Sequence, residues 1–141
     1  MSDLTRKEII QLIAIATKPL NLTGVNLHSI DLTGLDLSGA NLSGADLQRA
    51  NLLGANLSGA NLSGAVLIQA RLWKTNLSGA NLTKSLLMGA TLKRTNLSGA
   101  VFLGANIRGV ILSKGVFSGA DLTGCDITAV KRAYISETTL K

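Results

Sequence analysis

The sequence predicts an all-β solenoid with an N-terminal α-helical cap, and three regularities support this fold class. Every fifth residue from Leu22 to Ile127 is large and apolar, over 22 positions without a break. Two residues before each of them lies a small residue, which is Ala in 12 of the 22 units. The position between is commonly Asn or Asp, and the two that follow are commonly Ser or Thr and then Gly. A repeat of this kind decides the whole fold.

The period of five residues fits neither an α-helix, which repeats every 3.6 residues, nor a flat strand, which repeats every two. It fits a chain that turns a corner every five residues. The large and small apolar residues then point into the coil, while Gly, Asn, Asp and Ser favour the tight turns. Successive coils lie at strand spacing, about 4.8 Å apart, and each contacts only its neighbours.

A typical unit reads Ala40-Asn41-Leu42-Ser43-Gly44. The pattern resembles the pentapeptide-repeat family, whose motif is Ala-(Asp/Asn)-Leu-X-X, and the resemblance covers about residues 20–129. It implies a right-handed quadrilateral parallel β-helix, in which four units form the four sides of each coil. Members of that family include DNA mimics that bind type II topoisomerases and many cyanobacterial proteins of unknown role.

Substitutions within the repeat support four sides independently. The position after the inward residue departs from Ser or Thr in two series whose members lie four units apart: His28, Gln48, Ile68, Met88 and Arg108, and then Leu53, Trp73 and Lys93. A coil of four units places each series on one face. We number the faces by their first inward residues, so that faces 1, 2, 3 and 4 begin at Leu22, Leu27, Leu32 and Leu37. Faces 2 and 3 vary, whereas every inward residue of face 4 is followed by Ser-Gly.

The two ends of the chain depart from the repeat. Residues 1–18 are expected to form a capping helix over residues 5–17, since Thr5 and Glu8 have the spacing of a capping box. Its apolar side would contain Leu4, Ile9, Ile10, Leu12, Ile13 and Ala16. The β-helix is expected over residues 19–129. The repeat frame fails at Arg132, so residues 130–141 are interpreted as a C-terminal cap or as a surface that pairs two rods into a homodimer.

The sequence contains no recognisable catalytic constellation, and we expect neither an enzyme nor a cofactor. The single histidine, His28, lies on an outer face, and the carboxylates mostly fill the turn position where Asn is equally acceptable. The single cysteine, Cys125, occupies an inward small position and is expected to be buried filler. The apolar run at residues 9–16 is too short to cross a membrane and poorly flanked for a secretory signal. A cytoplasmic location is therefore expected, with export as the alternative.

Charged residues and exposed apolar residues indicate an interaction face. The chain has a formal net charge of +6, and no acid lies between Asp46 and Asp121. Bases and one aromatic residue cluster on face 3, at Arg71, Trp73, Lys74, Lys93, Arg94 and Lys114. Outward positions of face 2 that are normally polar hold Val66, Ile68, Leu86 and Met88. Grouped apolar residues that point outward indicate an interface. The alternative is purely conformational, with different turn types on different faces.

These features favour a non-catalytic scaffold that binds an acidic or partly apolar protein through faces 2 and 3. Binding of nucleic acid by the basic column, with Trp73 for base stacking, is the alternative. One aromatic residue is a weak stacking platform, so the protein partner is preferred. Topoisomerase binding by DNA mimicry, which the family resemblance suggests, is disfavoured because mimicry needs an acidic surface.

Overall fold

The computed structural model of the chain describes residues 2–113 and 117–126. Within these ranges there is one helix, α1, which is Arg6–Ile15 and is shorter at both ends than the predicted residues 5–17. Thr5 is its N-cap: the Thr5 hydroxyl accepts from the Glu8 N–H at 3.3 Å, and the Glu8 carboxylate accepts from the Thr5 N–H at 2.7 Å. The predicted capping box is therefore present, and it satisfies N–H groups at the start of the helix.

Residues that are four units apart pair along the chain. Parallel β-bridges join each bridged residue to its equivalent in the next coil, from Asn21–Asn41 to Val101–Asp121. Each is an isolated bridge rather than part of a longer strand, because the chain turns a corner within five residues. The protein is a solenoid in which one coil contains four units, as the two series of substitutions predicted.

Every backbone N–H group of a regular unit is satisfied, as residues 60–64 illustrate. The N–H of Asn61 donates to the preceding coil, and those of Leu62 and Gly64 donate to the following coil, over 2.7–2.9 Å. The first N–H of the unit closes the turn behind it at 3.1 Å. The remaining one, of Ser63, donates to the Oδ1 atom of Asn61 at 3.0 Å. This side-chain bond explains why Asn or Asp precedes the inward residue.

The stacked inward residues form one continuous core. The inward residues from Leu42 to Leu87 are 0% exposed. Polar residues in the small inward position are buried with them, and their hydroxyls donate to carbonyl oxygens inside the coil. Thr75 bonds the Leu52 carbonyl at 2.7 Å and Thr95 bonds the Leu72 carbonyl at 2.6 Å. Because a buried hydroxyl is tolerated only with a partner, these contacts allow Thr to replace Ala.

The helix packs on the first coil through part of the predicted side. Ile9 is 0% exposed and belongs to the core, and Leu4 and Ile13 pack against it. The expectation that Ile10 and Ala16 share this contact is wrong, since Ile10 is 42% exposed and Ala16 is also exposed. A helix of 10 residues can place only a narrow stripe on the end of the rod.

The corner of every described unit adopts a left-handed backbone conformation. Gly at this position has φ between +65° and +76°, and the six residues other than Gly have φ between +54° and +58°. All four faces contain such corners. The alternative in which the faces use different turn types is therefore wrong, and the absence of Gly at some corners needs another reason.

The shared corner geometry predicts the effect of exchanging Gly and Lys. A residue with a Cβ atom is disfavoured at positive φ, where Gly is permitted. We expect Lys84→Gly, at φ +56°, to raise the free energy of unfolding by about 0.5–1 kcal/mol, because the relief of left-handed strain, about 1–2 kcal/mol, exceeds the effect of the greater freedom of Gly in the unfolded chain. Gly79→Lys, at φ +65° on the preceding face, should lower it by a similar amount. Thermal melts followed by circular dichroism would measure both changes, and equal melting temperatures for the two variants would contradict the strain.

The described residues end before the C-terminal part of the sequence. The shifted repeat frame at Arg132, the proposed cap at residues 130–141 and the end-to-end homodimer all lie outside the described residues. The division into residues 1–18, 19–129 and 130–141 thus stays a prediction. In the described part of the chain, no helix has the length and apolar content needed to cross a membrane.

Candidate interaction face

Face 3 presents its predicted basic residues to solvent. Arg71, Lys74, Lys93 and Arg94 are all exposed, and Trp73 among them is 46% exposed. Within residues 2–113 and 117–126, none of these four bases makes an ion pair. Lys114, the remaining predicted member, lies outside the described residues. The structure thus places five of the six predicted residues on one face of two adjacent coils, as four exposed cations and one exposed indole ring.

The apolar residues of face 2 form a compact neighbouring patch. Val66 and Leu86 face each other in a parallel bridge, and Ile68 and Met88 occupy the same turn position in the same two coils. All four side chains are half-buried, so each covers its neighbours while leaving part of its surface to solvent. The patch is small, and Trp73 on the adjoining face 3 is a further exposed apolar side chain.

Leu53 was missing from the predicted face. It is 36% exposed and occupies, one coil earlier, the turn position that Trp73 holds. The Gly54 N–H donates to the Trp73 carbonyl at 3.0 Å, so the backbones of the two coils lie side by side here. The spacing of four units contained the signal, because Leu53 belongs to the same series as Trp73 and Lys93.

The corners of faces 2 and 3 carry most of the backbone strain. Of the six described corner residues other than Gly, five lie on these faces: Ser29, Arg49, Gln69, Lys74 and Arg94. Arg49 and Gln69 also contact each other, since the Arg49 Nε–H donates to the Gln69 Oε1 atom at 3.0 Å. Gly is available at the same corner on other coils, as at Gly34 and Gly54. Polar side chains, four of the five long, thus stand where the backbone favours Gly.

The same faces also give up side-chain hydrogen bonds that the repeat normally makes. Where Val66, Leu86 and Arg71 replace Asn or Asp before the inward residue, no side-chain oxygen can accept the N–H two positions later. In the described part of the chain, the N–H groups of Ile68 and Met88 consequently have no protein acceptor. Each lost bond costs about 0.5–1.5 kcal/mol. Face 4, over its units from Leu37 to Leu97, keeps both Gly at its corners and its Asx bonds.

In residues 2–113 and 117–126, the ion pairs of faces 2 and 3 lie at the ends of this region. The Nδ1 atom of His28 lies 3.8 Å from Asp46 of the next coil, and the Nε atom of Arg108 lies 3.9 Å from Asp126. His28 and Asp46 are far apart in the sequence and come together only because one coil contains four units. Between these two pairs no outward residue of faces 2 and 3 is acidic.

The remaining candidates for chemistry are Cys125 and side chains that could bind a metal ion. Cys125 was expected to be buried, but it is only partly buried, and its thiol donates to the Phe102 carbonyl at 3.0 Å. Burial raises the pKa of the Cys125 thiol, which favours the neutral form. No group of three or more His, Cys, Asp and Glu side chains that could hold a metal ion occurs in residues 2–113 and 117–126.

Family membership follows from the repeat. The family model for pentapeptide repeats matches the chain in eight copies, over residues 21–59, 45–84 and 85–128. The chain belongs to the pentapeptide repeat family. No curated protein sequence matches it.

Solved structures agree with this membership. The pentapeptide repeat protein Rfr23 from the cyanobacterium Cyanothece 51142 is 24% identical with a TM-score of 0.78, and the match covers 95% of this chain and 97% of that one. At this identity the likeness shows the fold alone.

Two further structures are similar in sequence but superpose less well. HetL from Nostoc sp. strain PCC 7120, a pentapeptide repeat protein involved in heterocyst differentiation regulation, is 27% identical with a TM-score of 0.38, over 86% of this chain and 72% of that one. A pentapeptide repeat protein of the Arabidopsis thaliana thylakoid lumen is 31% identical with a TM-score of 0.39, over 76% and 69%. These scores are too low to support a functional argument.

Proposed function

We propose that the protein is a non-catalytic scaffold that binds another protein through faces 2 and 3 of a right-handed, four-sided β-helix. One observation carries this proposal: the residues of these faces break two rules of their own fold in adjacent coils. They place side chains at corners that favour Gly, and they replace the Asn or Asp whose side-chain oxygen satisfies the backbone. Departures from local consistency without a structural gain mark functional positions.

The chemistry of the surface indicates the kind of partner. Arg71, Lys74, Lys93 and Arg94 are exposed without acidic partners among the described residues, so a partner with carboxylates would complement them. Trp73 and the apolar patch of face 2 would contact apolar side chains of the same partner, as aromatic residues do at the centres of interfaces. A partner with acidic and apolar groups fits both features. The single cysteine suits a reducing compartment, and we place this activity in the cytoplasm.

A pair of charge-matched variants tests the proposal. Arg71→Gln, Lys74→Gln and Arg94→Gln together remove three charges from face 3, and Gln suits the left-handed corners because Gln69 already adopts φ +57°. The control, Ser58→Glu, Ser78→Glu and Ser98→Glu, lowers the net charge equally but on face 4. We expect the first variant to lose partner capture by at least about tenfold, while both variants keep their melting temperatures within a few degrees.

Quantitative affinity capture from the native cell, with both variants and the unchanged protein, measures this effect. Equal loss in both variants would show that net charge alone matters, and equal capture by all three would overturn the proposed interface. Either result would leave the assignment of the fold unchanged.

Nucleic acid is the second candidate partner. Four exposed basic side chains lie on the same face as an indole ring, on which a nucleobase can stack. Contact with about four phosphates of a single strand would make the logarithm of the binding constant fall with the logarithm of salt concentration with a slope of about −3. A partner held partly by Val66, Leu86 and Trp73 should show a shallower slope. Fluorescence anisotropy with a labelled single-stranded oligonucleotide at several salt concentrations distinguishes the two kinds of partner. A steep slope with submicromolar affinity would favour nucleic acid.

A further inference from the structure

Arg6 shows how the first coil of this rod binds a guanidinium group. In the regular coils, two carbonyl oxygens of each face accept backbone N–H groups of the preceding coil. No coil precedes the first coil at face 3. The Arg6 side chain takes the place of the missing backbone N–H donors. Its Nη1 and Nη2 atoms donate to the Asp31 and Thr33 carbonyls at 3.0 and 2.9 Å, and Nη1 lies 3.7 Å from the Asp31 carboxylate. The guanidinium fork thus spans three acceptors of one edge.

Face 4 repeats the same three acceptors without an arginine side chain to bind them. Asp36 and Ser38 hold the positions of Asp31 and Thr33 one unit later, with the same turn: the Ser38 N–H donates to Asp36 Oδ1 at 3.0 Å, and the Thr33 N–H donates to Asp31 Oδ1 at 2.9 Å. In the described part of the chain, neither the Asp36 nor the Ser38 carbonyl accepts a hydrogen bond. Residue 19, which would donate to Ser38 in a regular coil, is Pro19 and has no N–H.

The electrostatics of the two edges are also alike. Hydrogen bonds from the Thr33 side chain and backbone lower the pKa of the Asp31 carboxyl, and hydrogen bonds from the Ser38 backbone and side chain lower the pKa of the Asp36 carboxyl. Both groups are therefore negatively charged at neutral pH. The Asp36 Oδ1 atom also accepts from the Asn56 side chain at 3.1 Å, which holds the carboxylate in place.

A cleft separates this edge from the segment that leads out of α1. The cleft has a volume of about 320 Å³, and its lining includes Ile13, Ala16, Lys18, Pro19, Asp36 and Ser38. Its volume is at the lower end of the range for small-molecule sites. Lys18 lies on its border but makes no ion pair with Asp36. Apolar side chains of the helix and the first coil flank the polar edge, so the methylenes of an arginine side chain would have contacts as well.

We propose that this cleft is a binding site for a guanidinium group, supplied by an arginine side chain of a bound peptide. The guanidinium would donate to the Asp36 and Ser38 carbonyls and face the Asp36 carboxylate, as Arg6 does with Asp31 and Thr33. Ile13 and Ala16, which line the cleft, would contact the methylenes. The site is independent of faces 2 and 3, because it uses the N-terminal edge of face 4.

Titration of the full chain with N-acetyl-arginine methylamide, followed through backbone amide chemical shifts, tests this site. We expect saturable shifts centred on Ser38, Gly39 and Leu20. Asp36→Asn should weaken binding by about tenfold without disturbing the turn, because Asn56 fills the same position in the next coil. Asp46→Asn, the same change on face 2, should leave the affinity unchanged.

N-acetyl-citrulline methylamide, a neutral probe of the same shape, separates charge recognition from contact with the methylenes. It should cause no saturable shift at Ser38. The proposal is overturned if arginine and citrulline probes give equal shifts, if Asp36→Asn binds as well as the unchanged protein, or if the arginine probe causes no saturable shift at this edge.

Discussion

Leu77→Lys is expected to lower the free energy of unfolding by at least about 3 kcal/mol. Leu77 is 0% exposed and lies in the core between Leu57 and Leu97 of the neighbouring coils. A lysine there would place an ammonium group among stacked aliphatic side chains, and no carboxylate occurs among the buried residues that the structure describes. Since each coil of a solenoid is stabilised mainly by its neighbours, the loss should spread to the coils on either side. Thermal melting followed by circular dichroism measures it.

The neighbouring variant Ser78→Lys supplies the control. Ser78 follows Leu77 directly but points outward, and the equivalent position of face 3 already holds the exposed Lys93. Its N–H bond to the Asn76 side chain involves the backbone and would be kept. We expect a change within about 0.5 kcal/mol. Equal destabilisation by the two lysines would contradict the alternation of inward and outward residues.

The strict period made the coil predictable from the sequence. Each position in a unit has one physical role, so a residue such as Asn61 can be assigned to the turn without knowing its neighbours in space. The spacing of four units between Trp73 and Lys93 is enough to assign them to one face. The equal corner conformation was not predictable, because Gly and Lys at a corner are equally consistent with two turn types.

Contacts across the first coil were harder to predict because they join segments without a common period. Nothing in the spacing of Arg6 relative to Asp31 indicates that its guanidinium replaces backbone donors. The apolar positions of α1 were identified, but a helix only 10 residues long crossing the end of a rod buries few of them. Ile10 was therefore assigned to the contact wrongly, while Ile9 beside it was assigned correctly.

The residues of the candidate face were predictable from the sequence. The free-energy cost of their strained corners and lost hydrogen bonds was not. The clustering of Arg71, Lys74 and Arg94 follows from the repeat alone. Only the structure shows that Lys74 adopts φ +58°. It also shows that Val66 leaves a backbone N–H group without the side-chain acceptor that Asn or Asp would supply. These costs strengthen the functional interpretation, because neither a solvated basic surface nor a turn requirement accounts for both.

Deletion of residues 1–18 is expected to make the rod associate through its N-terminal end. The segment covers the first coil with backbone and side-chain bonds: the Asp3 N–H donates to the Asn26 carbonyl at 2.6 Å, and the Asp3 carboxylate accepts from the Asn26 N–H at 2.8 Å. Removing it leaves these groups and those bound by Arg6 as an open edge, beside the apolar side chains of Val25 and Ile30. Unpaired edges with apolar neighbours recruit other chains. Light scattering should show oligomers, and a monomeric product with unchanged melting would show that the segment is no cap.

A pair of point variants separates the packing of the helix from the mere presence of the segment. Ile9 is 0% exposed against the first coil, whereas Ile10 is 42% exposed on the same helix. Ile9→Asp should detach α1, lower the free energy of unfolding by about 3 kcal/mol or more and reproduce the association of the truncated rod. Ile10→Asp changes the charge and helix propensity equally but should leave the protein monomeric. If the two variants associate to the same extent, the cap does not depend on the burial of Ile9, and charge near the N-terminus is the cause instead.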